Sequence, residues 1–132
     1  MTGVAPGFDG AERNLRKRFR SNQKIRKAAE FKAVFKKPVV SSDKNFRVLA
    51  RRNGGDFARL GMAVSRQVDK HAVGRNRIKR LIRESFRHHY TRHPANLDIV
   101  VLPRRETATT CNEQLFQSLE NHWLRLDKQF EG

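Results

Sequence analysis

The chain has 132 residues, enough for one domain with a modest core, and 37% of them are hydrophobic. Lys and Arg number 29 against 13 Asp and Glu, a formal net charge of +16 with a pI near 11.3. No run approaches the ~18 apolar residues of a membrane span, the N-terminus lacks a signal peptide's apolar stretch, and the single cysteine, Cys111, suits a reducing cytosol; a transmembrane protein, a secreted disulfide scaffold and a typical acidic enzyme are excluded.

Residues 1–22 mix Gly, Pro and charge without a period and read as a disordered basic extension, leaving 23–132 as a single domain. Over residues 27–37, Phe31, Val34 and Phe35 fall at i, i+3 and i+4, one face of a short helix that Pro38 stops. Val39-Val40-Ser41 suggests a brief strand. Residues 45–52 alternate, with Phe46, Val48 and Ala50 on one face and Arg47, Leu49 and Arg51 on the other. Asn53-Gly54-Gly55-Asp56 is a strong turn signal, and residues 58–66 alternate again, so these two segments are expected to form a hairpin.

From about residue 70 to 92 the spacing predicts a helix, ended by Pro94. At 100° per residue, Ile78, Leu81, Ile82, Ser85, Phe86 and His89 share one arc, while Asn76, Lys79, Arg80, Arg83 and Arg87 lie opposite. Arg75 points toward the apolar edge. Residues 97–103, LDIVVLP, form a continuous apolar run suited to a buried strand. Thr110-Cys111-Asn112-Glu113 matches a capping box, after which Leu115, Leu119, Trp123, Leu126 and Phe130 follow at helical spacing. The order α-β-β-β-α-β-α describes an α+β sandwich of helices on a small sheet.

The excess charge lies wholly in the first 92 residues; the last 40 carry a net −2. Such a field repels itself and calls for a polyanion, with nucleic acid the leading partner. An anionic membrane fits less well, because no long basic amphipathic segment carries aromatic anchors. The helix RNRIKRLIRESFR (75–87) concentrates six Arg and Lys, with Glu84 alone opposing them. Guanidinium forks suit phosphate oxygens, and helix N-terminal N–H groups near Asn76 favour phosphate as well. The plainer alternative is a solvated face with an Arg80–Glu84 pair.

Phe31 and Phe35 are either core aromatics or a platform for single-stranded bases. Arg47, Leu49 and Arg51 give the first long strand a basic side, which favours a groove that takes a flexible strand. His88, His89 and His93 lack the companions of a zinc site. Cys111 has no evident His partner, and no acidic cluster of a two-metal nuclease is present. An apolar strand after residue 94 argues against a helix-turn-helix DNA regulator.

The segment from Arg75 to Arg87 closely resembles the signature helix of the bacterial ribonuclease P protein subunit family. Phe31-x-x-Val34-Phe35 is similar to that family's first helix, Leu60-Gly61-Met62-Ala63-Val64-Ser65-Arg66 to its strand before the signature, and Asp98-Ile99-Val100-Val101 to its late strand. The resemblance covers roughly residues 25–127. It implies a fold similar to the second domain of ribosomal protein S5, with a left-handed βαβ crossover where general rules favour a right-handed one. It implies a cytoplasmic ribonucleoprotein endoribonuclease in which a large RNA is the catalyst. Mg²⁺ held mainly by that RNA supplies the hydrolytic chemistry, with no organic cofactor. The protein, inactive alone, assists removal of the 5′ leader from precursor tRNA to leave a mature 5′-phosphate end. Its partners would be the catalytic RNA and precursor tRNA, with no membrane and no further protein required. By position, Arg75, Asn76, Arg77, Lys79, Arg80 and Arg83 would bind the catalytic RNA, with Arg87 on the same helix. Phe31, Phe35, Arg47 and Leu49 would line a leader groove, joined by Arg51 and Arg66. The competing reading is a ribosomal-type structural RNA binder with no processing role.

Overall fold

A strand that is apolar without alternation belongs where both faces are covered. In the computed structural model of the protein, which describes residues 24–25, 28–55 and 57–131, the run Leu97–Pro103 takes such an interior position in a four-stranded sheet. In chain order the elements are α1 (Ala28–Val34), β1 (Val39–Ser42), β2 (Phe46–Arg52), β3 (Arg59–Met62), α2 (Ala72–Arg92), β4 (Leu97–Pro103), a 3-10 turn (Arg105–Thr109) and α3 (Asn112–Glu131). The sheet order is β1-β2-β4-β3. β4 runs antiparallel to β2, with Leu49 opposite Val100, and parallel to β3, with Leu60 opposite Ile99. α2 is the crossover joining the parallel pair. The expected α+β class and element order are those of the structure.

The expected hairpin between β2 and β3 is not formed. β4 lies between them, because an apolar strand buried on both faces gains more from the sheet interior than either of its neighbours would. The turn signal is real but has another use. Gly54 takes φ +71°, open to glycine without a Cβ clash, and Asn53 Oδ1 accepts the Gly55 amide at 2.7 Å. Asn53 Nδ2 then donates to Asp98 Oδ1 at 2.9 Å, directing the turn toward β4. The hairpin that does form joins β1 to β2, pairing Val39 with Ala50 and Ser42 with Arg47. Its turn is fixed by Asp43 Oδ1, which accepts the amides of Asn45 at 2.9 Å and Phe46 at 2.8 Å.

On one face of the sheet, Phe46, Val48, Ala50, Leu60, Ile99 and Val101 meet the apolar stripes of α2 and α3. Trp123 is fully buried there and donates its indole N–H to Ser85 Oγ at 2.8 Å, which explains a serine on the apolar arc. His89 shares that arc because its Nε2 lies 2.6 Å from Asp127 Oδ2. Among the described residues the other face carries α1, whose Val34 joins Leu49 and Val100 in a small buried cluster with Ile25 packed against it.

Two helix ends differ from expectation, and the expected start of α2 near residue 70 is built around a glycine. α1 ends at Val34, and a tighter turn follows, with the Phe35 amide bonded to the Lys32 carbonyl and Lys37 at φ +49°. Phe35 therefore sits in that turn, just beyond the helix. α2 starts at Ala72 and runs through Gly74, whose missing side chain admits the Asp69 carboxylate: a Cβ there would lie 1.9 Å from Asp69 Oδ2. α3 starts at Asn112 without the expected capping box, since the Thr110 hydroxyl donates instead to the Glu106 carbonyl at 2.6 Å. The proposed N-terminal extension, residues 1–22, lies outside the described residues.

Candidate nucleic-acid interface

The apolar stripe of α2 fixes its rotation, and the rotation decides which cations reach solvent. Asn76, Arg80 and Arg83 are exposed on the face turned from the core, with Lys79 and Arg87 half-buried at its margin. Among the described residues Asn76, Lys79, Arg80 and Arg83 have no side-chain partner. Glu84 pairs with Arg87 at 3.5 Å, not with Arg80. A rigid helix thus presents a row of cations with free donors, the arrangement that suits a phosphate backbone.

Two cations expected in that row are engaged elsewhere. Arg77 turns to the flank facing the 3-10 turn, where Nη2 donates to the Thr107 carbonyl at 2.7 Å and Nη1 to Asn112 Oδ1 at 2.6 Å. It also reaches the Thr110 carbonyl at 3.2 Å. Its guanidinium thus bonds backbone acceptors at the end of the 3-10 turn, the Thr107 carbonyl being shared with the Thr110 amide. Arg75 Nη1 donates to the carbonyls of Asp69 and Lys70 at 3.0 and 3.1 Å, closing the loop before α2. Both guanidiniums are therefore held against the protein's own backbone in this structure. The start of α2 also differs from an open phosphate site, because the Asp69 carboxylate stands there and accepts the His71 amide at 2.9 Å.

On the opposite face, Phe31 and Phe35 sit with ring centroids 5.6 Å apart and planes at 42°. Phe31 is half-buried against the backbone of Gly61, where a Cβ would approach the ring to 3.1 Å. Phe35 is 46% exposed. Arg47 is exposed near the start of β2, an interior strand, on the same face. Leu49, expected to line the groove, is only 2% exposed: the alternation that turns it from the main core turns it under α1, so it forms the floor. Arg51 Nη1 donates to the Ala33 carbonyl at 2.8 Å and holds the end of α1. Arg66 is exposed in the loop between β3 and α2, at the end of the sheet where β2 begins.

That end of the sheet holds basic residues the sequence reading passed over. Lys44, Arg104 and Arg105 line an open polar groove with Ser65 and Gln67. Arg104 is partly committed, through Nε to the Asp43 carbonyl at 2.9 Å. The Arg-Arg pair directly after an apolar strand was the available signal.

A buried histidine and its neighbours tie the sheet to α3. Ser41 Oγ lies 2.6 Å from His122 Nδ1, and His122 Nε2 lies 3.1 Å from Asp43 Oδ2 in an orientation that falls short of a hydrogen bond. Ser41 is 6% exposed and His122 fully buried, so this Ser-His-Asp alignment ties α3 to β1 and presents no nucleophile. Burial drives the His122 pKa down, and Arg125 adds to this, against the opposing pull of Asp43. Partial burial pushes Asp43 up, but the hydroxyl of Ser118, the Phe46 and Asn45 amides and His122 together hold it below the usual carboxylate range. Among the described residues no three His, Cys, Asp or Glu side chains gather as a metal ion would require. Among them, too, no helix is long and apolar enough to cross a membrane.

Comparison with known proteins decides the family. Residues 19–127 match the family model described as Ribonuclease P. The chain belongs to the ribonuclease P protein family. The ribonuclease P protein component of Thioalkalivibrio sulfidiphilus is 41% identical over 108 residues, covering 82% of this chain and 89% of that one. Among solved ribonuclease P proteins, a Staphylococcus aureus mutant with defective mRNA degradation activity superposes with TM-score 0.76 at 34% identity, covering 87% of this chain and 96% of the other. The Thermotoga maritima protein gives TM-score 0.66 at 33% identity, covering 74% and 92%. The four-stranded mixed sheet with three helices is thus the fold of ribonuclease P proteins. Membership carries the activity: the chain serves a ribonucleoprotein enzyme, ribonuclease P, by assisting removal of the tRNA 5′ leader, and is not itself the catalyst.

Proposed function

We propose that the two faces of this ribonuclease P protein divide the work between two RNAs. The outer face of α2, through Asn76, Lys79, Arg80, Arg83 and Arg87, docks the catalytic RNA by phosphate contacts. The α1 side, through Phe31, Phe35, Arg47 and Arg66 over a floor of Leu49, holds the leader of precursor tRNA. The observation that carries this reading is the contrast among the α2 cations: Lys79, Arg80 and Arg83 on the outer face lack internal partners among the described residues and Arg87 meets Glu84 at 3.5 Å, while Arg75 and Arg77 are held by backbone carbonyls. Leader binding then aligns the scissile phosphate, so that binding energy is used for positioning. Cations on α2 lower the repulsion between the two RNAs. Mg²⁺ in this reading resides with the RNA subunit, where it would supply the hydrolytic chemistry; the described residues of the protein offer no ligand set for it. We also take the β3-α2-β4 crossover as left-handed and the layering as similar to the second domain of ribosomal protein S5. Residues 1–22 are read as an extension preceding a single domain, and the work as cytoplasmic.

The test is precursor-tRNA cleavage at low millimolar Mg²⁺, comparing the protein alone, a bacterial catalytic RNA alone, and the two together. Efficient cutting at the mature 5′ end in the mixture, with none by the protein alone, is expected. A protein that binds the RNA tightly and adds nothing to cleavage would favour a purely structural RNA binder.

A further inference from the structure

α1 has seven residues, too few to hold a helix in water without tertiary support. Its apolar support is small, since Val34 is its one buried side chain. Polar contacts from the sheet make up the difference at both ends. At the last turn Arg51 of β2 reaches the Ala33 carbonyl. At the first turn Arg59 of β3 donates through Nη1 to Glu30 Oε2 at 2.9 Å. The same guanidinium grips Asp98 of β4 in a two-bond fork, Nε to Oδ1 at 2.8 Å and Nη2 to Oδ2 at 2.7 Å. Asp98 is fixed in turn by Asn53. The side chains are 24% (Arg59), 34% (Glu30) and 10% (Asp98) exposed, so the network is shielded beyond what a surface pair enjoys.

Arg59 differs from the α2 cations in one respect that matters. Two carboxylates neutralise it, so it is poorly suited to attract phosphate. Its position along β3 suggests another role. Two residues on, Gly61 faces the same side and seats the Phe31 ring, while Arg59 seats Glu30, the residue before Phe31. β3 therefore carries adjacent seats for consecutive residues of α1.

We infer that Arg59 is a positioning residue for the leader: its clamp between Glu30 and Asp98 sets where α1 lies on the sheet, and so where Phe31 and Phe35 meet the leader. This rests on the leader-groove reading of the α1 side. Arg59 acts through α1 and touches no substrate itself. Loss of the clamp loosens α1 over its small cluster and leaves the α2 face unaltered.

The experiment uses reconstituted holoenzyme and two precursor tRNAs, one with a leader of several nucleotides and one with a single nucleotide. The variants are Arg59→Gln, Glu30→Gln, the double variant and Arg59→Lys, with Phe31→Ala as reference. Glu30→Gln weakens the α1 half of the clamp and leaves the Arg59–Asp98 fork intact, so it reports even where Arg59→Gln folds poorly. The expected result is a rise of about fivefold in KM on the long leader for each single variant, with kcat and the short-leader KM unchanged. The double variant should be no worse than Arg59→Gln, and Arg59→Lys should recover part of the loss. Equal losses on both substrates would make Arg59 a residue of general stability and overturn the inference. Wild-type KM in Glu30→Gln, alongside a leader-dependent defect in Phe31→Ala, would overturn it while leaving the groove intact. A Phe31→Ala variant with no leader dependence would instead remove the groove reading itself.

Discussion

The two faces of the sheet are held by different means. One is covered by α2 and α3, of 21 and 20 residues, over a continuous apolar core centred on Trp123, Phe86 and Ile82. The other carries a seven-residue helix that buries Val34 against Leu49 and Val100, secured by the guanidinium groups of Arg51 and Arg59. A large apolar core resists deformation, because its packing is dense and its members are mutually dependent. A helix held by a few polar contacts opens at lower free energy than the whole molecule. The first construction suits a fixed platform for a folded RNA, and the second suits a groove that adapts to a flexible strand.

The contrast is broken most directly at Trp123. Trp123→Ala is expected to cost about 3–5 kcal/mol in urea unfolding and to impair both RNA assembly and leader binding. Val34→Ala, on the other face, should cost about 1–2 kcal/mol and raise KM only for substrates with leaders of several nucleotides. Equal losses from the two would mean one cooperative core. Arg77→Ala tests the flank of α2: unfolding free energy should fall by about 2 kcal/mol, with the slope of RNA affinity against salt unchanged. Three residues on, Arg80→Ala should leave stability within about 0.5 kcal/mol and reduce that slope by about 1. A smaller slope for Arg77→Ala, or an unchanged one for Arg80→Ala, would reverse the assignment of free and committed cations.

The least expected effect concerns acid. The folded pKa of His122 is depressed, so the unfolded chain binds its proton first, and stability falls as pH drops below about 6.5. Asp43, also depressed, adds a loss in the same direction only as pH falls below its ordinary value of 3.8. Between pH 7 and 5 the fall in Tm should therefore be smaller in His122→Gln than in the parent chain.

What the sequence disclosed and what it withheld divide along the range of the interactions. The strand at 97–103 and the stripe from Ile78 to His89 were legible because each rests on a local period. The pairing of β2 with β4, in place of β3, was not, because two alternating segments around an Asn-Gly turn carry no sign that a later strand will enter between them. Helical angle separated Arg80 and Arg83 from the core correctly. It gave no notice that the Thr107 and Thr110 carbonyls, some thirty residues on, would take the guanidinium of Arg77. Leu49 illustrates a related limit, since alternation tells which face a side chain takes and not whether α1 covers that face. The Arg59 clamp was unreadable for the same reason, its carboxylates being 29 and 39 positions away.

The outer edge of β3 has a further consequence. Lys24 forms an isolated bridge with Leu60, and the Ile25 amide donates to the Leu60 carbonyl at 3.0 Å, so residues 24–25 lie along that edge. An uncovered edge is a template for strands of other molecules. These two residues cover part of that edge, and shortening the chain past Ile25 is expected to bare it and to raise self-association in sedimentation experiments.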